Sequence, residues 1–140
     1  MPYQPSFLAF LTSAHTTSAG HNSNITCIGI KHNVGNHYNT SNGKFTAPCT
    51  GTYLFQVCIA SVGSSSFQSY ISAELYVNGS SSYRGGWNEE ASGYYRENSS
   101  FTVQLTKGDY VQMGAETYTP VALQTGTTKV YTYFSGHLIS

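Results

Sequence analysis

Apolar residues recur at every second position in several stretches of the chain. Phe7, Ala9 and Leu11 share one face of a first segment. Tyr53, Phe55, Val57 and Ile59 form another stripe, broken at Ser61-Val62-Gly63. Ile71, Ala73, Leu75 and Val77 form a third, ended by Asn78-Gly79. Phe101, Val103 and Leu105 lead to Lys107-Gly108-Asp109, and Val111, Met113 and Ala115 follow at once, which predicts a hairpin. Val130, Thr132, Phe134, Gly136 and Leu138 predict a last strand. Period-two runs between Gly, Asn and Ser turns describe half-buried strands, and no run has a helical period. The pattern predicts an all-β sandwich or barrel. Residues 14–24, 79–99 and 117–129 are polar and read as loops.

Composition narrows the function. The chain has 140 residues, which predicts one domain spanning 1–140. Only 9% of residues are charged, and six basic side chains balance six acidic ones. There is no basic surplus to neutralise phosphates, so nucleic-acid binding is excluded as a primary role. There is no polybasic stretch or long apolar run for a membrane. With 39% apolar and 14% aromatic residues, the chain can fill a core and is not disordered. Phe7–Leu11 is too short for a signal-peptide core. The chain is therefore expected either in the cytosol or outside the cell after removal of a signal.

Catalytic chemistry finds little to work with. Asp109 is the single aspartate, and the glutamates are Glu74, Glu89, Glu90, Glu97 and Glu116. The Gly-x-Ser-x-Gly, His-Glu-x-x-His and phosphate-loop motifs are absent, so an enzyme is not expected. Cys27, Cys49 and Cys58 include no Cys-x-x-Cys pair. They read as small buried hydrophobes, with one disulfide possible in principle. His15 and His21 share a polar loop, where solvated histidines are the expectation ahead of a metal pair. Asn24, Asn39, Asn78 and Asn98 open glycosylation sequons, but a chain rich in Asn, Ser and Thr yields some by chance.

One stretch is specific. Asn33, Tyr38, Gly43-Lys44-Phe45, Pro48 and Gly51-Thr52-Tyr53-Leu54-Phe55 resemble the signature of the C1q globular domain. Cys27 and Val57 stand where that family usually has aromatic residues; both remain apolar. Leu75–Gly79, Leu105-x-Lys107-Gly108-Asp109-x-Val111 and Phe134-Ser135-Gly136-His137-Leu138 also resemble family elements, in order along the chain. The resemblance implies a ten-stranded jelly-roll sandwich of C1q/tumour necrosis factor type and assembly as a homotrimer. It places Asp109 in a structural turn. Several family trimers bind calcium near their three-fold axis. Here Tyr95 falls near where a family aspartate would lie, leaving Glu89, Glu90 and Glu97 as weak calcium candidates.

The segment 80–98 is the most suggestive site. It holds the one tryptophan and both arginines. Flat aromatic rings stack on sugars, while Arg and Asn bind hydroxyls. The Tyr, Ser, Gly, Asn, Trp and Arg mixture is also that of recognition loops. Tyr83, Arg84, Trp87, Asn88, Tyr94, Tyr95 and Arg96 are the candidate ligand-binding residues; alternatively Tyr83 and Trp87 cover the sandwich edge or a subunit contact. The resemblance to stand-alone C1q-domain proteins of invertebrate, molluscan type implies a secreted lectin that binds microbial glycans in innate immunity. The alternative is a trimeric signalling or assembly ligand with a protein receptor.

Overall fold

The computed structural model describes residues 4–62, 69–90 and 96–140, with no side chains at 69 and 87–90. The strands are β1 (Ser6–Phe10), β2 (Gly20–Asn22), β3 (Gly29–Val34), β4 (Tyr38–Asn39), β5 (Lys44–Thr46), β6 (Gly51–Ala60), β7 (Ser69–Val77), β8 (Ser80–Glu90), β9 (Arg96–Leu105), β10 (Tyr110–Thr117) and β11 (Tyr133–Leu138). They form a five-stranded sheet, β3-β1-β11-β6-β9, facing a second sheet, β4-β5-β10-β7-β8, to which β2 adds by pairing with β10. All pairings are antiparallel. This is the expected jelly-roll sandwich. The resemblance implies ten strands; among the described residues eleven form, of which β4 is only two residues long.

The alternating stripes meet between the sheets. Phe7 lies at the centre, its ring centroid 4.9 Å from Tyr38, 5.0 Å from Phe45 and 4.9 Å from Phe134. Tyr53, Phe55, Val57, Ile71, Leu75, Val111 and Met113 complete the core, each at most 1% exposed. Each such side chain contributes about 1.5–3 kcal/mol by leaving water. Two of the buried phenols bond to backbone: Tyr38 donates to the Cys27 carbonyl at 2.8 Å and Tyr53 to that of Cys49 at 2.6 Å. Asn33 makes the bend after β3, donating to the Tyr38 carbonyl at 2.8 Å and accepting from its amide at 3.2 Å. That double bond is the physical content of the Asn–Tyr spacing in the sequence.

Three expectations are corrected. The stripes 101–105 and 111–115 are not a hairpin. β9 pairs with β6 and β10 with β7, so the turn at 106–109 carries the chain from one sheet to the other. Local alternation cannot separate a hairpin from such a crossing, because both need only a tight turn. Residues 80–90 are not a loop but β8, closed onto β7 by Asn78-Gly79, both at positive φ (52° and 86°). Pairing with β7 overrides the low strand propensity of the Ser- and Gly-rich segment. The last strand starts at Tyr133; Thr132 lies before it, its hydroxyl within 3.3 Å of both the amide and the carbonyl of Ala60. The three cysteines are free thiols, with burial pushing the Cys27 thiol up to about 12.

Candidate functional site

Two surfaces can be built upward from these elements. The first is the predicted 80–98 segment, where β8 and β9 end their respective sheets. The two strands approach closely at Gly85. A Cβ there would stand 1.7 Å from the Ser99 hydroxyl and 2.6 Å from the Ser99 Cβ, so glycine lets the sheet edges pinch together. Beside it Tyr83 tilts onto Phe101, ring centroids 5.7 Å apart, and keeps 36% of its surface exposed. Tyr83 therefore closes the sandwich edge with one face of its ring and offers the rest to solvent.

The two arginines do not converge. Arg84 lies on the outer face of the second sheet, where its guanidinium reaches Glu116 at 2.5 Å and the Ser72 hydroxyl at 3.3 Å. Arg96 begins β9 in the other sheet and donates to the Tyr131 carbonyl at 2.9 Å. Trp87 and Asn88 pair through their backbones with Ser72 and Ile71; their side chains lie outside the description. Tyr94 and Tyr95 lie outside the described residues. Of the calcium candidates, Glu89 and Glu90 are described by their backbones alone, opposite Tyr70 and Ser69. Glu97 is half-buried, and burial raises its carboxyl above the usual range.

Sequence reasoning missed the second surface. Glu74 sits on β7 in the polar phase of an apolar stripe, yet it is fully buried. Its side chain is covered from three directions. The His21 Nδ1 of β2 stands 2.8 Å from Glu74 Oε2, and the Ser81 hydroxyl of β8 donates to the same oxygen at 2.9 Å. The Tyr76 hydroxyl lies 3.4 Å from Oε1. Burial, and then the Glu74 charge, push the Tyr76 phenol up to about 12. Glu116 of β10 completes the group, 3.8 Å from His21 Nε2. Among the described residues, His21, Glu74 and Glu116 are the set whose donor atoms all lie within 4.8 Å of one another. The signal in the sequence was a lone glutamate inside a strand, which alternation assigns to solvent; the side chains of β2, β8 and Tyr76 together bury it.

A polar cleft of about 560 Å³ opens at Asn33, Asn36, Asn39 and Thr40. Its three amides are already engaged: Asn33 is bound to Tyr38, the Asn36 Oδ1 accepts from the Asn33 amide at 3.3 Å, and the Asn39 Oδ1 caps Ser41 at 2.8 Å.

The two sheet faces differ in charge. On the outer side of the five-stranded sheet, three successive rows of partners cross all five strands. They are Val34–Ser6–His137–Leu54–Thr102, His32–Leu8–Ser135–Gln56–Ser100 and Gly29–Phe10–Tyr133–Cys58–Asn98. None of these positions is Asp, Glu, Lys or Arg. The outer side of the other sheet carries Glu74, Glu116 and Arg84.

Comparison with known proteins gives this architecture a family. The globular domain of zebrafish complement 1qA protein aligns over 97% of this chain and 98% of its own, with a TM-score of 0.67 at 18% identity. Murine APRIL, solved at pH 5.0, aligns over 97% and 99% with a TM-score of 0.69 at 12% identity. A search of curated protein sequences returned no match. The sequence profile described as C1q domain matches residues 6–139. With nearly every residue inside that match, the chain belongs to the C1q domain family.

Proposed function

We propose that this C1q domain is a secreted, non-enzymatic recognition ligand that works as a homotrimer and binds microbial surface glycans. The observation that carries the reading is the outer face of the five-stranded sheet, whose three central rows carry no charged residue and whose cations, Lys31 over Phe10 and Arg96 opposite Ala60, lie at one end. Its rows mix Leu, Val, Phe, Tyr, Ser and Gln without a fixed charge. A face of this kind loses little on desolvation and fits burial against a copy of itself. Trimerisation multiplies a weak site by avidity, which sugar surfaces with repeated epitopes reward. The half-exposed Tyr83 on an edge strand supports a sugar-stacking surface along β8, with Trp87, Asn88, Tyr94, Tyr95 and Arg96 as further contacts. Arg84 stands apart from that surface, its guanidinium held by Glu116 and Ser72 on the outer face of the second sheet.

The test is a glycan array probed with the purified protein, in calcium and again in chelator, beside Trp87→Ala. Selective binding that the variant loses supports the lectin. The chelator arm decides whether Glu89, Glu90 and Glu97 serve a calcium site. Binding to no glycan in either buffer overturns the lectin and leaves a trimeric ligand for a protein receptor.

A further inference from the structure

We propose that His21, Glu74 and Glu116 form a binding site for a divalent transition-metal ion, with zinc as the probe. Three strands that are distant in sequence deliver one donor each: β2 the imidazole, β7 and β10 the carboxylates. One imidazole and two carboxylates make a mixed nitrogen–oxygen set that suits zinc and its neighbours. Calcium wants six to eight oxygens and takes no imidazole.

The geometry is close to a working one. Tetrahedral donors at about 2.0–2.2 Å from zinc lie roughly 3.3–3.6 Å apart. Here the donor atoms lie within 4.8 Å of one another, and the 2.8 Å pair must open slightly. The moving part is the His21 side chain, 54% exposed, which also leaves a way in from solvent. Both carboxylates are already oriented by other bonds. Glu74 Oε1 is met by Tyr76 and its Oε2 by Ser81, while Glu116 Oε1 is held by Arg84 and its Oε2 accepts from Tyr70 at 3.4 Å. Such outer bonds fix ligands in the poses an ion uses.

Charge supplies an independent reason. Glu74 is a carboxylate with a side chain only 1% exposed, and a buried carboxylate calls for a cation. The ring that faces it at 2.8 Å is a histidine, positive only when protonated. Two carboxylates and one guanidinium sum to one negative charge, so the group attracts a cation, and a divalent ion would more than offset that charge. The bound ion would tie β2 to its neighbour β10 and, beyond it, to β7.

Protein stripped with EDTA and titrated calorimetrically with zinc is expected to bind one ion per chain. His21→Ala and Glu116→Gln should each weaken binding by about tenfold or more, taking the loss seen for lesser perturbations of metal sites as the floor. His32→Ala, on the opposite sheet, should bind as the parent does. His21→Ala takes a 2.8 Å partner from buried Glu74, so it should lower the thermal transition in EDTA while keeping the circular dichroism of the strands. X-ray absorption of the zinc-loaded parent should show a single imidazole among oxygen donors. A parent that binds no zinc overturns the proposal. So does a His21→Ala variant that binds with the parent's affinity and stoichiometry, or a shell of sulfur or several imidazoles.

Discussion

Asn78 and Asp109, which belong to different turns, hold each other in place. The Asn78 amide donates to Asp109 Oδ1 at 3.2 Å, while the Asn78 Oδ1 accepts from the Tyr110 amide at 3.0 Å. The other Asp109 oxygen accepts from the Thr106 amide at 2.8 Å. One carboxylate thus shapes the crossing between sheets and ties it to the β7–β8 turn. Asp109→Ala removes both acceptors, and hydrogen bonds to charged groups are worth about 1.5–3 kcal/mol each where partly buried, less in water. We expect a loss of about 1–3 kcal/mol in urea unfolding. Asp109→Asn should recover part of it. An alanine variant as stable as the parent would show the crossing to be held by its backbone alone.

Two glycines separate close packing from backbone freedom. A Cβ on Gly136 would stand 2.4 Å from the Phe55 ring and 3.1 Å from that of Phe7. Both rings are buried and have nowhere to go, so Gly136→Ala should cost at least the roughly 1–3 kcal/mol of overpacking. Gly108 has open space around it but sits at φ +95°. Gly108→Ala therefore meets only backbone strain, about 1–2 kcal/mol. Combining Gly136→Ala with Phe55→Leu should return part of the first loss and none of the second. Equal behaviour of the two glycines toward Phe55→Leu would refute this division.

The legible part of the fold was the part written as local alternation. The stripes at 53–59 and 71–77 land in β6 and β7 with the predicted residues inside. The Asn33–Tyr38 spacing is legible because both partners of its double hydrogen bond lie within one turn. What failed depends on partners far away in sequence. Whether Lys107–Asp109 closes a hairpin or crosses sheets is decided by β6 and β7. Strand β8 forms because β7 offers it an edge, although its own residues favour coil. Glu74 looks like a solvated strand residue until His21, Ser81 and Tyr76 close over it, His21 from fifty residues upstream. The candidate site was legible as composition and not as geometry: Arg84 and Arg96 are close in sequence and sit on different sheets.

His15 should make the fold acid-sensitive. Its Nε2 is buried with no hydrogen-bond partner among the described residues, and burial lowers its pKa below 6.5. The neutral ring is the form the fold accepts. Its contribution is therefore complete above about pH 6.5 and is lost as pH falls from there through the lower folded value. His15→Gln cannot be protonated. Thermal melts of the two proteins should draw apart between about pH 7 and pH 5, the variant gaining relative to the parent. Parallel curves would mean that the ring finds a proton acceptor or leaves its site. The other histidines are common to both proteins and cancel in the difference.

The sheet face whose central rows carry no charge makes the most direct prediction about assembly. Leu54 lies in a row with His137 and Thr102, near the middle of that face and half-buried. Leu54→Glu places a carboxylate there. If the face is buried against two copies, the charge must be desolvated without a partner, a cost of several kcal/mol per subunit. Sedimentation should then show the mass falling from three chains to one, with the circular dichroism of the strands unchanged. Ser82→Glu, on exposed β8, should leave the mass at three chains. A parent that sediments as one chain would remove the trimer altogether. A Leu54→Glu protein that stays at three chains would move the contact to another face. The two outcomes differ for recognition as well, because avidity requires the trimer. In the first, glycan binding must be a property of the single site. In the second, the edge at Tyr83 proposed to bind sugar becomes a candidate for the contact itself.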